Sequence, residues 1–134
     1  MPSHPTGRLQ AWMKTLTILS VLVLSACRLS TDSDAPRPYI LGMVSGNQQT
    51  AAAGTQLTDP LSVVVIDQYN FVMANITVTW AITAGGGSLS ALTTVTDENG
   101  VASVTYTAGP TPGPASITAT VSSLGTLTFT ETIT

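Results

Sequence analysis

Beyond Pro38 apolar and polar residues alternate with a period of two, again and again. Ile76, Val78, Trp80 and Ile82 fall on one face of this pattern, with Thr77, Thr79, Ala81 and Thr83 on the other. Ala102, Val104 and Tyr106 oppose Val101, Ser103, Thr105 and Thr107; Ala115, Ile117, Ala119 and Val121 oppose Ser116, Thr118 and Thr120; Leu127 and Phe129 oppose Thr128 and Thr130. A period of two places successive side chains on opposite faces of a strand, so each run predicts a half-buried β-strand. Threonine dominates the outward positions, and its branched Cβ suits a pleated, half-wet surface. No stretch in this part of the chain carries a helical period, and the expected class is all-β.

Turn chemistry separates the runs. Asp59-Pro60 precedes Leu61 to Ile66, and Asp67 to Asn70 follows it; Gly85-Gly86-Gly87 ends the run through Trp80. Asp97-Glu98-Asn99-Gly100 joins two runs through an Asn-Gly pair, a hairpin signal because both residues tolerate positive φ. Gly109 to Pro114 and Ser122 to Gly125 punctuate the remainder. About seven short strands spaced this way predict a single immunoglobulin-like β-sandwich. With no inter-sheet disulfide, Trp80 is the natural large filler of its core. A membrane barrel would need more strands and a lipid-compatible outer face in place of threonine.

The beginning of the chain is different. Arg8 and Lys14 precede an apolar run from Leu16 to Leu24, then Ser25, Ala26 and the only cysteine, Cys27. The run is short of the ~20 apolar residues that a membrane-spanning helix needs, and it reads as the hydrophobic region of a secretion signal. Leu24-Ser25-Ala26-Cys27 resembles a lipobox, where a bacterial lipoprotein is acylated on the cysteine thiol and cut just before it. The expected organisation is therefore a cleaved signal over 1–26, an anchored linker over 27–38 and a folded domain over 39–134. Ser, Thr, Asp and spaced prolines fill the linker, which as a flexible coil spans roughly 18 Å. Arg28 follows the cysteine where enteric sorting signals for the inner membrane place Asp, so the resemblance implies the outer membrane.

Charge and chemistry narrow the function. The whole chain has a formal net charge of −3. From Tyr39 onward its ionisable carboxylates are Asp59, Asp67, Asp97, Glu98 and Glu131, with no Lys, Arg or His. A module without a basic stripe has no electrostatic footprint for nucleic acid and is repelled by anionic head groups, which leaves membrane contact to the anchor. One cysteine and no histidine in the domain leave no set of thiolate or imidazole ligands for zinc. Its serines and threonines have no His or Lys to activate them as nucleophiles. Asp67, Asp97 and Glu98 read as turn acids, since a calcium loop needs a denser ligand series and carboxylate-pair hydrolysis needs a cleft. Gly85-Gly86-Gly87 lacks the Gly-Lys-Ser/Thr of a phosphate loop and reads as an inter-strand loop. No cofactor, metal or small-molecule substrate is expected, and no enzymatic activity.

Several segments, in order, resemble the group-one bacterial immunoglobulin-like domain found in invasin and intimin adhesins. They are Val44 to Thr50, Pro60 to Asp67, Gly85 to Leu89, Thr96 to Ala102 and a closing strand with Phe129. The resemblance spans Ile40 to Thr134 and implies an immunoglobulin-like sandwich that binds proteins at the cell envelope. The family usually follows its Asp with a Gly-Asn-Pro-Val turn, where this chain has Asn70-Phe71-Val72-Met73. Asn75 stands where a glycine is common, and asparagine can supply the left-handed conformation there. Tyr69, Phe71 and Met73 thus make an apolar turn tip: exposed, it is a site for a protein partner; folded back, it is sandwich edge. Glycan binding would call for a cluster of exposed aromatics, and a structural accessory role in an envelope complex is the other alternative. A single copy on a lipid differs from the stacked copies through which adhesins of this type reach outward, and it suits a partner within the envelope.

Acylation has a direct readout. Cys27→Ala is expected to abolish labelling by radioactive fatty acid and to leave an uncut precursor. Equal labelling of variant and wild type would remove the lipoprotein reading.

Overall fold

The computed structural model describes residues 35–134. Cys27, the signal segment and most of the linker lie outside the described residues. Ten strands run in order: β1 (Pro38–Ser45), β2 (Thr50–Ala51), β3 (Leu61–Asp67), β4 (Thr77–Ala84), β5 (Ser88–Leu89), β6 (Thr93–Val95), β7 (Val101–Val104), β8 (Tyr106–Thr107), β9 (Gly113–Val121) and β10 (Gly125–Ile133). One sheet has the order β1-β3-β7, a second the order β2-β10-β9-β4-β6, and β5 pairs with β8. The neighbours are antiparallel except β2 and β10, which run parallel. This is the expected all-β immunoglobulin-like sandwich, with the long strands where the period-two runs lie. The extra strands are pieces of two or three residues: β2 and β6 at the edges of the five-stranded sheet, and β5 and β8 as a pair of their own.

The inward positions are those the alternation marks. Val78 and Trp80 on β4, Ile117 and Ala119 on β9, and Phe129 on β10 are buried from one sheet. Leu61, Val63 and Val65 on β3, with Ala102 and Val104 on β7, close over them from the other. Trp80 and Phe129 meet in the middle with ring centroids 5.9 Å apart and planes tilted by 36°. The indole N–H of Trp80 donates to Thr94 Oγ1 at 2.8 Å, so the largest core residue leaves no polar atom unpaired. Tyr106 is fully buried and its hydroxyl donates to the Gly86 carbonyl at 2.6 Å.

That contact changes the reading of the triglycine. All three residues have positive φ, and a Cβ on Gly87 would collide with the Thr107 carbonyl oxygen. The segment is packed against β8 and works as a close-fitting corner, which only glycine can make.

Glu131 extends the inward face of β10 beyond Phe129 and is only 3% exposed. It sits where the chain leaves the three-stranded sheet after β1 and crosses to pair β2 with β10. The crossing leaves backbone amides to satisfy: Gln48 N–H donates to the Thr130 carbonyl, and Gln49 N–H donates to Glu131 Oε2 at 2.6 Å. The Gln49 side chain fastens the same crossing by donating to the carbonyls of Gly46 and Asp59 and accepting from Asp59 N–H. Glu131 Oε1 has no partner among the described residues. Burial raises the carboxyl pKa above its ordinary value, opposed by the backbone donors at Gln49 and Gln48.

Two outcomes follow. Trp80→Ala should cost ~3–5 kcal/mol through lost burial and the cavity left behind, a large part of the ~5–15 kcal/mol a small domain holds. Thr79→Ala, on the solvent face, should cost far less; urea melts showing the two equally mild would overturn the core assignment. For Glu131 the folded pKa lies above the unfolded one, so its ionised form opposes folding. Its contribution is fully present below the unfolded pKa and is lost as pH rises through the folded pKa. Glu131→Gln should therefore raise the melting midpoint at neutral pH and remove the gain in stability that wild type is expected to make as pH falls through the raised Glu131 pKa. Parallel pH profiles for the two proteins would contradict this.

Candidate functional site

The end of the sandwich where β3 finishes carries the candidate site. Asp67 closes β3, is itself buried, and turns its carboxylate onto the backbone that follows. Its Oδ1 accepts from Tyr69 N–H and from Phe71 N–H, each at 2.9 Å. Asp67 N–H donates to the Phe71 carbonyl at 2.8 Å, and Asn70 N–H donates to the Asp67 carbonyl at 3.1 Å. Asn70 takes a φ of 69° to complete the turn. The loop is an aspartate-closed turn with a left-handed residue in its fourth position, one of the few non-glycine types that occupies it readily.

The neighbouring loop repeats the construction. Asp97 Oδ1 accepts from Asn99 N–H at 2.9 Å and from Val101 N–H at 3.0 Å. Asp97 N–H donates to the Val101 carbonyl, and Gly100 N–H donates to the Asp97 carbonyl. Gly100 has a φ of 72°, while Asn99 keeps a negative one, so the Asn-Gly pair makes a three-residue loop with one left-handed residue. The strands it joins, β6 and β7, lie in different sheets. Gly100 is required by contact as well as by φ: a Cβ there would meet the Val65 carbonyl oxygen, Val72 Cβ and Met73 N within 3.0 Å. The two turns are therefore packed together, and Val65 N–H donates to the Gly100 carbonyl. Asp67 and Asp97 spend their carboxylates on backbone, and Glu98 is exposed beside them. No group of three His, Cys, Asp or Glu among the described residues is placed to hold a metal.

The three expected tip residues separate. Phe71 stands in solvent, 69% exposed, with Val72 at 51% and Tyr69 at 47%. Met73 turns inward and packs half-buried against the core; its amide donates to the Val65 carbonyl and its carbonyl accepts from Thr96 Oγ1 at 2.6 Å. Asn75 holds a φ of 62°, the left-handed conformation that lets it stand for glycine. Tyr69, Phe71 and Val72 thus form the exposed apolar tip, with Met73 beneath it. The folded chain also begins at this end. Pro38 pairs with Asp67, and Arg37 N–H donates to Gln68 Oε1 at 2.9 Å.

A second apolar surface was not expected. Register places Ile40 opposite Ile66 and Gly42 opposite Val64, with Val64 in turn opposite Val101, all on the solvent side of the three-stranded sheet. The other sheet presents Thr79, Thr118, Thr120, Thr126 and Thr128 to solvent. The signal was present in Leu61-Ser62-Val63-Val64-Val65-Ile66, a nearly unbroken apolar run of the kind that marks a strand with two apolar faces.

Comparison with known proteins agrees with this architecture. The family model described as "Bacterial Ig-like domain (group 1)" matches residues 42–134. Comparison with curated proteins finds no match. Among solved structures, the D0-D1 domain of intimin superposes with a TM-score of 0.53 at 26% identity, covering 75% of this chain and 48% of that one. The C-terminal 282-residue fragment of intimin, solved in complex with the intimin-binding domain of the translocated intimin receptor, gives 0.52 at 27%, covering 72% and 33%. Domains 4 and 5 of the S-layer protein SbsC share the fold, with a TM-score of 0.53 at 16% identity over 74% of this chain and 53% of that one. The chain spans less than half the length of the intimin structures it matches. With its sandwich, its turns and a family match over residues 42–134, the chain belongs to the group 1 bacterial immunoglobulin-like domain family.

Proposed function

We propose that this protein is a lipid-anchored component of the bacterial outer membrane that presents its immunoglobulin-like domain to a protein partner through the turn after β3. The anchor is Cys27, acylated and first in the mature chain. Acyl chains at ~0.8 kcal/mol per buried methylene hold such a protein firmly once more than one is attached. The exposure of Phe71, 69% in a family turn that is ordinarily polar, is the observation that carries the binding site. Its backbone is fixed in advance by Asp67, so binding orders little new chain. Tyr69 supplies a second aromatic surface, and Met73 supports the turn from the core side.

The intimin fragment solved with its receptor domain shows that a relative of this fold takes a protein partner. Here the tip and the start of the folded chain share one end, which points to a neighbouring envelope protein near the membrane surface. The reading is of a binding module, with no reaction assigned and no cofactor required.

Phe71→Ser should weaken photocrosslinking to the partner captured by wild type in intact cells by ~2 kcal/mol, about 30-fold, the scale of a central aromatic contact. The melting midpoint should stay nearly unchanged. A large fall in midpoint would make Phe71 a structural residue, and an unchanged crosslink pattern would place the binding surface elsewhere.

A further inference from the structure

Glu131 is a buried carboxylate with no cation beside it. It is 3% exposed, and no Lys, Arg or His occurs from Tyr39 onward. Its Oε2 accepts from Gln49 N–H at 2.6 Å, while Oε1 has no partner among the described residues. An ionised carboxylate so placed is unfavourable, and access of water relieves it. β9, which pairs with β10 through Ala115 and Glu131, carries no titratable side chain, and neither does the segment from Asn47 to Ala53. Asp59 is exposed, and its backbone holds the far side of the Gln49 side chain. Arg37, Tyr39 and Asp67 all lie at the tip end. Tyr106 is the remaining titratable group that Glu131 influences; burial raises its phenol pKa, so it stays neutral wherever the carboxyl titrates.

The chain that covers Glu131 is lightly held. Between Gly46 and Gly54, whose φ values are 96° and 75°, it leaves the three-stranded sheet and joins the other. Two of its residues form β2, at the edge of the five-stranded sheet. Ala51 is buried, Gln49 and Ala53 are partly so, and the other side chains are exposed. Backbone hydrogen bonds to β10 supply the grip. Gln48 N–H donates to the Thr130 carbonyl, Thr132 N–H to that of Gln49, Thr134 N–H to that of Ala51 and Ala53 N–H to that of Thr134. A segment with few buried apolar side chains opens at lower free energy than the core. The tip is at the other end of the sandwich. β4 starts at Thr77, near the Thr96 that supports Met73, and runs to Gly85, which packs against Ala115 opposite Glu131.

We propose that Glu131 makes the segment from Asn47 to Ala53 a flap over the edge of β10 that acid tightens, with Gly46 and Gly54 as its hinges. Opening hydrates the ionised carboxylate and bares the β10 edge around Glu131, the kind of unpaired edge on which another chain can add a strand. Protonation removes the reason to open. The carboxylate's partner, the Gln49 amide, belongs to the flap, so the charge touches the part that moves. Burial raises the carboxyl pKa above its hydrated value. Closure is therefore firmest below the hydrated pKa and loosens as pH rises through the raised one.

Residue-resolved amide exchange on the full-length protein, over a pH series and corrected for intrinsic rates, tests the flap. The amides of Gln48, Ala53 and Thr132 should exchange faster than those of Trp80 and Ile117, with little denaturant dependence. Their protection should fall by up to about tenfold per pH unit between the hydrated and the raised pKa, and be flat on either side. In Glu131→Gln that slope should vanish, while Tyr69 and Phe71 keep the same protection in both proteins. The wild-type series decides by itself should the variant fail to fold. Flap amides that exchange only at the global free energy, with full denaturant dependence, would overturn the inference. So would a flat wild-type profile, or an equal slope in Glu131→Gln.

Discussion

The closure of two apolar sheet faces over Trp80 and Phe129 is the constraint on which everything else in this domain depends. No Lys, Arg or His occurs from Tyr39 onward and the single cysteine lies before it, so neither an internal ion pair nor a disulfide can carry the fold. Burial has to do so. The two rings sit 5.9 Å apart at the centre of a layer filled from both sides by Val, Ile, Leu and Ala in strand-favouring positions. Polar groups enter the core only with partners: the indole N–H on Thr94, the Tyr106 hydroxyl on Gly86. Glu131 is the exception, with one oxygen satisfied and one not, at the seam where the chain changes sheets.

A core that holds by itself frees the surface for other work, and the two solvent faces have diverged. Threonine covers the five-stranded sheet, where its methyl and hydroxyl satisfy strand and water together. On the three-stranded sheet Ile40, Val64, Ile66 and Val101 form an aliphatic patch beside the hydrogen-bonded Ser62 and Ser103, continuous at its other end with the turn that lifts Phe71 into solvent. That turn is positioned by electrostatics at short range. The Asp67 carboxylate binds two amides of its own loop, and the packed Asp97 loop beside it repeats the device. The apolar tip is thereby presented on a fixed backbone rather than on a mobile loop.

Much of this was legible in the sequence because strand parity is a strict code. The Val78-Trp80 face, the Ala115-to-Val121 face and Phe129 all point inward as their alternation requires. The same parity runs on to Glu131, whose burial could have been read from its place two residues past Phe129, yet a carboxylate there looks like a surface residue until its partners across 82 positions are known. Gly85-Gly86-Gly87 reads as a loose loop because nothing local reveals that Thr107 and Tyr106 press against it. The Asn99-Gly100 pair suggests a hairpin within one sheet, whereas the link is between sheets, a fact of tertiary topology. Phe71 and Met73 show the limit most plainly. Both are apolar and two apart, but only the packing of the turn against Val65 and Thr96 decides that Met73 turns inward while Phe71 does not.

The central claim is that core burial alone closes the sandwich and that the tip is an attached, separately opening feature. Native-state amide hydrogen exchange across a denaturant series tests it most directly. The amides of Trp80, Ile117 and Ala119 should exchange slowest, with opening free energies that converge on the global value and the full denaturant dependence of unfolding. Tyr69 and Phe71, whose amides face Asp67, should exchange through local openings of lower free energy and little denaturant dependence. Slower exchange in the turn than in β4 and β9, or early opening of Trp80, would contradict the account.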